Sequence, residues 1–284
     1  MFVCKDLLEI KRFPEKVLSL DLSGQKLDVF PWEILDCVNL IELNLARTQI
    51  SELPWSISDL KNLSVLHLSR CPIQQLPKSI QKLDLRLLSM FNGVLDEFPE
   101  EIFGMKNLIH LNLGGTQISY IPKEVAALQL EVLNLSKSLA PKIPEFSGSL
   151  KTLRHLDLGQ CDHSKIPYWI FQLPNLQHLN LNHCGLTEIS SSIGNLKKLR
   201  FLNVGWNPLT ELPEALGNCQ LLSGLICTNS NLIRLPKSFK NLNDLVRLEL
   251  DGCKMERFPA ELLKKEKMAW NLLDNVFVVN YEYN

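Results

Sequence analysis

The chain repeats itself on a fixed clock, and that restricts it to very few folds. Anchored on the last apolar residue of Leu-x-x-Leu-x-Leu, copies fall at Leu22, Leu45, Leu68, Met90, Leu113, Leu135, Leu158, Leu181, Val204, Cys227 and Leu250. The step is 23 residues, shortened to 22 at Met90 and Leu135, and eleven copies cover nearly the whole chain. A Leu, Ile or Phe followed by Pro keeps the same register, from Phe30-Pro31 to Phe258-Pro259, with Ile189-Ser190 the one break. Each Leu-x-x-Leu-x-Leu reads as a short strand whose leucines point to one side, and a single copy cannot bury that side alone. Stacked copies make one parallel sheet at about 4.8 Å per strand, so the set predicts a concave face on the order of 50 Å long. The segment after each Pro, such as Pro99-Glu100-Glu101-Ile102-Phe103, predicts a short helix or 3₁₀ turn on the convex side. Pro suits a first helical position there, where its missing N–H has no partner in any case.

With these residues in place, the chain resembles the leucine-rich repeat proteins, in particular the short-repeat intracellular kind with LP-x-x-I-x-x-L-x-x-L-x-x-L-x-L. The resemblance spans roughly nine-tenths of the chain and is specific for fold. It implies an α/β solenoid, a leucine-rich repeat horseshoe of about eleven repeats with a parallel concave sheet and short convex helices or 3₁₀ turns. It implies no single activity, because the family shares an architecture. Relatives include Ras-pathway scaffolds, inhibitors that occlude a partner enzyme, and stand-alone bacterial effectors delivered into host cells.

The unbroken repeat sets the domain reading: an N-terminal cap over 1–16, a single solenoid over 17–259 and a C-terminal cap over 260–284. Phe13-Pro14 sits too close to Leu20 to open a full copy. In the last segment Asn271 falls on a core leucine slot, which a true repeat resists, so a helical or irregular cap is expected, followed by the apolar run Val276 to Val279. A net charge of −1 argues against a nucleic-acid or anionic-membrane binder, since both need clustered Lys and Arg. No apolar run approaches the ~20 residues that span a bilayer, and the charged start, MFVCKDLLEIKRFPEK, is not a secretory signal. Of the eight cysteines, Cys71, Cys161, Cys184 and Cys253 sit three residues after the strand anchor, a slot filled elsewhere by Thr48, Thr116, Ser138, Asn207 and Ser230. These residues are expected to face inward and satisfy turn backbone, as reduced thiols in a cytoplasmic protein; the alternative location is a host cytosol after bacterial secretion.

The strand residues between the leucines point outward and stack into columns. The first column contains Val65, Leu87, His110, His155, His178, Phe201, Gly224 and Arg247; the second contains Asn112, Asn134, Asp157, Asn180 and Asn203; Asn182 and Phe91 lie in the third. The rim contains His183 and Trp206. Five of the six histidines fall on this face, all but His163, and an exposed Trp beside Phe and His marks a binding surface. The expected partner footprint has Trp206 and Phe201 as anchors, with His155, His178, His183, Asn180 and Asn182 around them. Trp206 has one other reading, folded back on Pro208 to cover the turn. Val65, Leu87 and Phe91 form a second, weaker patch. Gly114, Gly115, Gly159 and Gly205 are expected to leave open backbone for a partner's close approach, and the second-column asparagines to ladder among themselves.

Catalysis is not expected. His155 and His178 can approach within about 5 Å on adjacent strands, but His183 and His110 lie too far off to complete a metal site. The cysteines face the core while the histidines face solvent, so no Cys–His nucleophile forms. No phosphate loop or paired-acid signature is present, and no cofactor is implied. The sequence therefore predicts a non-enzymatic module, a monomer by itself, that binds a protein through its concave face and captures or inhibits it. A signalling scaffold or adaptor and a delivered bacterial effector are the alternatives.

Overall fold

A computed structural model describes residues 3–138, 150–162 and 165–256, together with the backbone of 269–271. The chain forms two compact units, Met1–Leu153 and Arg154–Asn284. The first contains parallel strands β1 (Val3–Cys4), β2 (Ser19–Asp21), β3 (Glu42–Asn44), β4 (Val65–His67), β5 (Leu87–Ser89), β6 (His110–Asn112) and β7 (Val132–Asn134), each paired with the next. The second contains β8 (His155–Asp157), β9 (His178–Asn180), β10 (Phe201–Asn203), β11 (Gly224–Ile226), β12 (Arg247–Glu249) and β13 (Ala269–Asn271), paired in the same manner.

The alternation read from the sequence holds in both units. The central leucine of every strand from β2 to β12 is buried, from Leu20 to Leu248, while its neighbours lie on the opposite face. Apolar residues of the returning segments, among them Ile34, Ile57, Ile102, Ile170, Ile193 and Phe239, are fully buried against them. Burying a side chain of this size contributes roughly 1.5–3 kcal/mol. Because each apolar face is covered by its neighbours, that gain belongs to the stack and not to any one repeat.

The returning segments between strands are 3₁₀ turns of five residues, for example Trp32–Asp36, Glu100–Gly104 and Lys237–Asn241. Proline stands one place earlier than expected, at the capping position, where its fixed φ leads into the turn and its carbonyl accepts the first bond, as from the Ile34 N–H to Pro31. The Ser190 exception supplies a side-chain cap instead, its hydroxyl accepting from the Ser192 N–H at 3.2 Å. The two 22-residue steps also have a local cause. After most full-length turns the next residue bends, with ψ 64° at Cys37 and 68° at Leu60, although Leu173 stays extended at ψ 110°. In the short repeats Leu83 and Leu128 run straight on at ψ 146° and 145°. The missing residue is thus taken from the bend, and strand register is preserved.

The N-terminal segment does more than cover the core. Asp6 caps helix α1 (Leu7–Arg12) by accepting from the Leu8 N–H at 2.8 Å, and Ile10 is wholly buried. Residues Val3 and Cys4 add a strand of their own against Ser19 and Leu20. At the other end a strand occupies 269–271, where the sequence suggested a helical or irregular cap. Its register sets Trp270, not Asn271, level with Leu248, and Asn271 level with Glu249. Asn271 therefore does not take a leucine slot; the step from β12 is again 22 residues, from Arg247 to Ala269. The run Val276 to Val279, Phe258-Pro259 and His163 lie outside the described residues. No helix among the described residues is long and apolar enough to cross a membrane.

Candidate functional site

Where the second column carries Asn or Asp, the strand leaves the sheet through one repeated turn. The second-column Asn or Asp accepts a hydrogen bond from the backbone N–H two residues on: Asn112 from Gly114 at 3.1 Å, Asp157 from Gly159 at 2.9 Å, Asn180 from Asn182 at 3.2 Å and Asn203 from Gly205 at 3.1 Å. This is an Asx turn, and it corrects the expected ladder. Across strands only Asn180 joins its column neighbour among these residues, its amide donating to Asp157 at 2.9 Å. The rim residue then adopts the left-handed conformation, from Arg47 at φ 60° to Trp206 at φ 57°, with Gly24, Gly115 and Gly252 at the same place in other repeats. Only glycine enters this region freely, and a bulky side chain there is an outlier.

The chain next dips into the core, where the inward slot behaves as expected except at Ser138, whose buried hydroxyl has no hydrogen-bond partner among the described residues. Thr48 donates to the Leu45 carbonyl at 2.8 Å, the Cys71 thiol to the same carbonyl at 3.0 Å, and Cys184 to Leu158 at 3.2 Å. Burial pushes the Cys184 thiol up to about 11. It is therefore protonated at neutral pH, and the cysteine beneath the histidines is no nucleophile.

These turns place two aromatic groups in the second unit. In the first column His155 and His178 stack almost parallel, centroids 4.2 Å apart at 6°, and His178 stacks on Phe201 at 6.0 Å. Phe201 leans over Gly224: a Cβ there would lie 2.7 Å from the ring. The gap lets the Arg247 guanidinium approach the Phe201 ring at 5.9 Å, a cation–π contact, while it is held by Glu249 at 2.6 Å. His178 is half-buried; burial first, and then the Arg200 charge, lower its pKa below the ordinary histidine value. At the rim Trp206 is 57% exposed, and it meets the exposed His183 edge-on at 6.3 Å. Asp162, His183 and Trp206 border a shallow cleft floored by Cys161 and Cys184.

Not every expectation survives. The four glycines do not offer open backbone: the Cβ position of Gly159 is filled by Asn182, of Gly115 by Asn92, of Gly114 by Asn134 and Ser136, and of Gly205 by Thr228. The predicted Asn182 is thus a cover for Gly159, and Asn180 is tied to Asp157 and its own turn. In the first unit Val65 and Leu87 are paired neighbours and half-buried, and half-buried Phe91 has the Lys137 ammonium 5.8 Å from its ring centre. Sequence reading missed Asp162 and the part played by Arg247; the glycine beside Phe201 in its column was the available signal. Among the described residues no three His, Cys, Asp or Glu side chains gather as a metal site would require.

Comparison with known proteins agrees with this architecture. The family model of leucine-rich repeats (2 copies) matches residues 38–82 and 174–218. No curated protein matches the chain in sequence. Among solved structures, a leucine-rich repeat protein of Leptospira interrogans is similar at 25% identity, TM-score 0.62, over 94% of this chain and 92% of that one. A plant peptide hormone receptor, solved in complex with RGF2, is similar at 28% identity and TM-score 0.67, over 88% of this chain and 42% of the receptor. An internalin of Listeria monocytogenes shares the fold at 19% identity and TM-score 0.62, over 91% of this chain and 87% of that one. The chain spans less than half of the plant receptor. The chain thus has the leucine-rich repeat fold and two stretches that match the family model, and that fold generally serves protein–protein interaction.

Proposed function

We propose that this chain binds a partner protein through the outward strand residues of its second unit, and that it captures or inhibits that partner without catalysing a reaction of its own. The observation that carries this reading is Trp206, more than half exposed at the left-handed rim position of its repeat and edge-on to His183, on the same repeats that carry His178 and Phe201 of the stack. A large side chain held out in that way is suited to a hot spot: it buries area at little rotamer cost. The stack on the neighbouring strands is already packed, so less entropy is lost on binding. A similar plant receptor solved with RGF2 supports a polypeptide ligand. A scaffold is the second reading and needs a second docking surface; delivery into a host cell by a bacterium is a role the same site would serve equally.

A pull-down from lysate of the source cell or its host, with wild type and Trp206→Ala side by side, tests the site. The mutant should fold and lose the partner, with affinity weakened by about 2 kcal/mol or more. Equal retention by a folded mutant would remove Trp206 from the interface.

A further inference from the structure

A second exposed aromatic group lies in the first unit, away from the outward strand residues. Trp32 and Trp55 open two successive 3₁₀ turns at the same repeat position. They are 62% and 72% exposed, and Val29 beside them is 75% exposed. Together they line a cleft of about 400 Å³ whose polar wall is Asp28, Ser51 and Glu52 and which includes no basic side chain. Neither Asp28 nor Glu52 has an ion-pair partner among the described residues. Position does not demand this composition, since the equivalent of the two tryptophans is lysine at Lys78 and Lys123 and glutamate at Glu100 and Glu214.

We propose that this cleft docks an extended, arginine-rich segment of a partner protein. Charge decides among occupants. Indole faces attract a guanidinium and pack against its methylene stem, and an adjacent carboxylate receives its paired N–H groups. An uncharged apolar segment would strip water from Asp28 and Glu52 with nothing in return. A second copy meeting this one about a two-fold axis would bring the same carboxylates together. An arginine-rich segment satisfies both features of the cleft at once. The site is separate from the Trp206 region, and it supplies the second surface that a scaffold requires.

The test uses the full chain and a fluorescein-labelled decapeptide of alternating Arg and Ser, with a Glu-Ser decapeptide and a Leu-Ser decapeptide as comparisons, read by anisotropy. The Arg-Ser peptide should bind wild type best, and more weakly as salt rises. Trp32→Ala/Trp55→Ala should lose at least tenfold, and so should the nearly isosteric Asp28→Asn/Glu52→Gln, with thermal melts unchanged because all four side chains are exposed or at the surface. Trp206→Ala should bind the peptide as wild type does, which separates this site from the proposed partner face. Retained affinity in both double variants, or preference for the Leu-Ser peptide, overturns the assignment. So does a wild-type dimer in sedimentation that the tryptophan variant disperses, because the occupant is then a second copy.

Discussion

Asn207 holds the turn that presents Trp206, and it does so with five hydrogen bonds. Its amide donates to the carbonyls of Leu181, Val204 and Gly205 at 2.8, 2.9 and 3.1 Å, and its oxygen accepts from the Cys184 and Leu186 N–H groups at 2.9 and 3.0 Å. Thr48 and Thr116, in the same slot, reach one carbonyl of the preceding strand end each. Truncating Asn207 to alanine strands two buried N–H donors, each costing about 1–3 kcal/mol when unpaired. Asn207→Ala should therefore lose roughly 2–6 kcal/mol in urea titration, clearly more than Thr48→Ala; equal losses would deny it this role. The residue type was legible at its slot in the sequence, but the number of bonds was not. A three-residue offset shows that a side chain faces in, and it says nothing of which carbonyls lie within reach.

At the scale of the element, β8, β9 and β10 act together through their first-column side chains. His178 is sandwiched between His155 and Phe201, with Arg200 near it, so its neutral form is favoured. The sign follows from linkage: the unfolded chain takes up a proton near pH 6.5 before folded His178 does. This contribution to stability is complete above about pH 6.5 and falls as pH drops from there through the folded pKa. Proton NMR should find His178 titrating below that value, and His178→Gln should reduce the acid-side loss of stability; a His178 pKa at or above 6.5 would contradict the packing described. The columns themselves were readable, because alternation along a strand fixes which residues face out. How the side chains lie was not readable: Phe201 reclines over Gly224, and Asn182 fills the space above Gly159. Short elements were also hidden. Two residues, Val3 and Cys4, are too few to show a period, and at β13 a 22-residue step moved Asn271 off the slot that a 23-residue count gave it.

For the whole molecule, a 23-residue period was enough to state the fold, since leucines on that clock bury only by stacking. It could not rank surfaces. Trp32 and Trp55 lie after proline in ordinary repeat positions, and nothing in the period marks them as exposed neighbours. Two faces of the chain are thus proposed for binding: outward strand residues of the second unit for the main partner, and the tryptophan cleft of the first unit for an arginine-rich segment. The direct test of the first assignment is photocrosslinking with p-benzoylphenylalanine placed at Trp206 and, in a second preparation, at exposed Lys197. If the partner docks on that face, it is joined covalently from position 206 and not from position 197. Joining from 197 alone would contradict that docking.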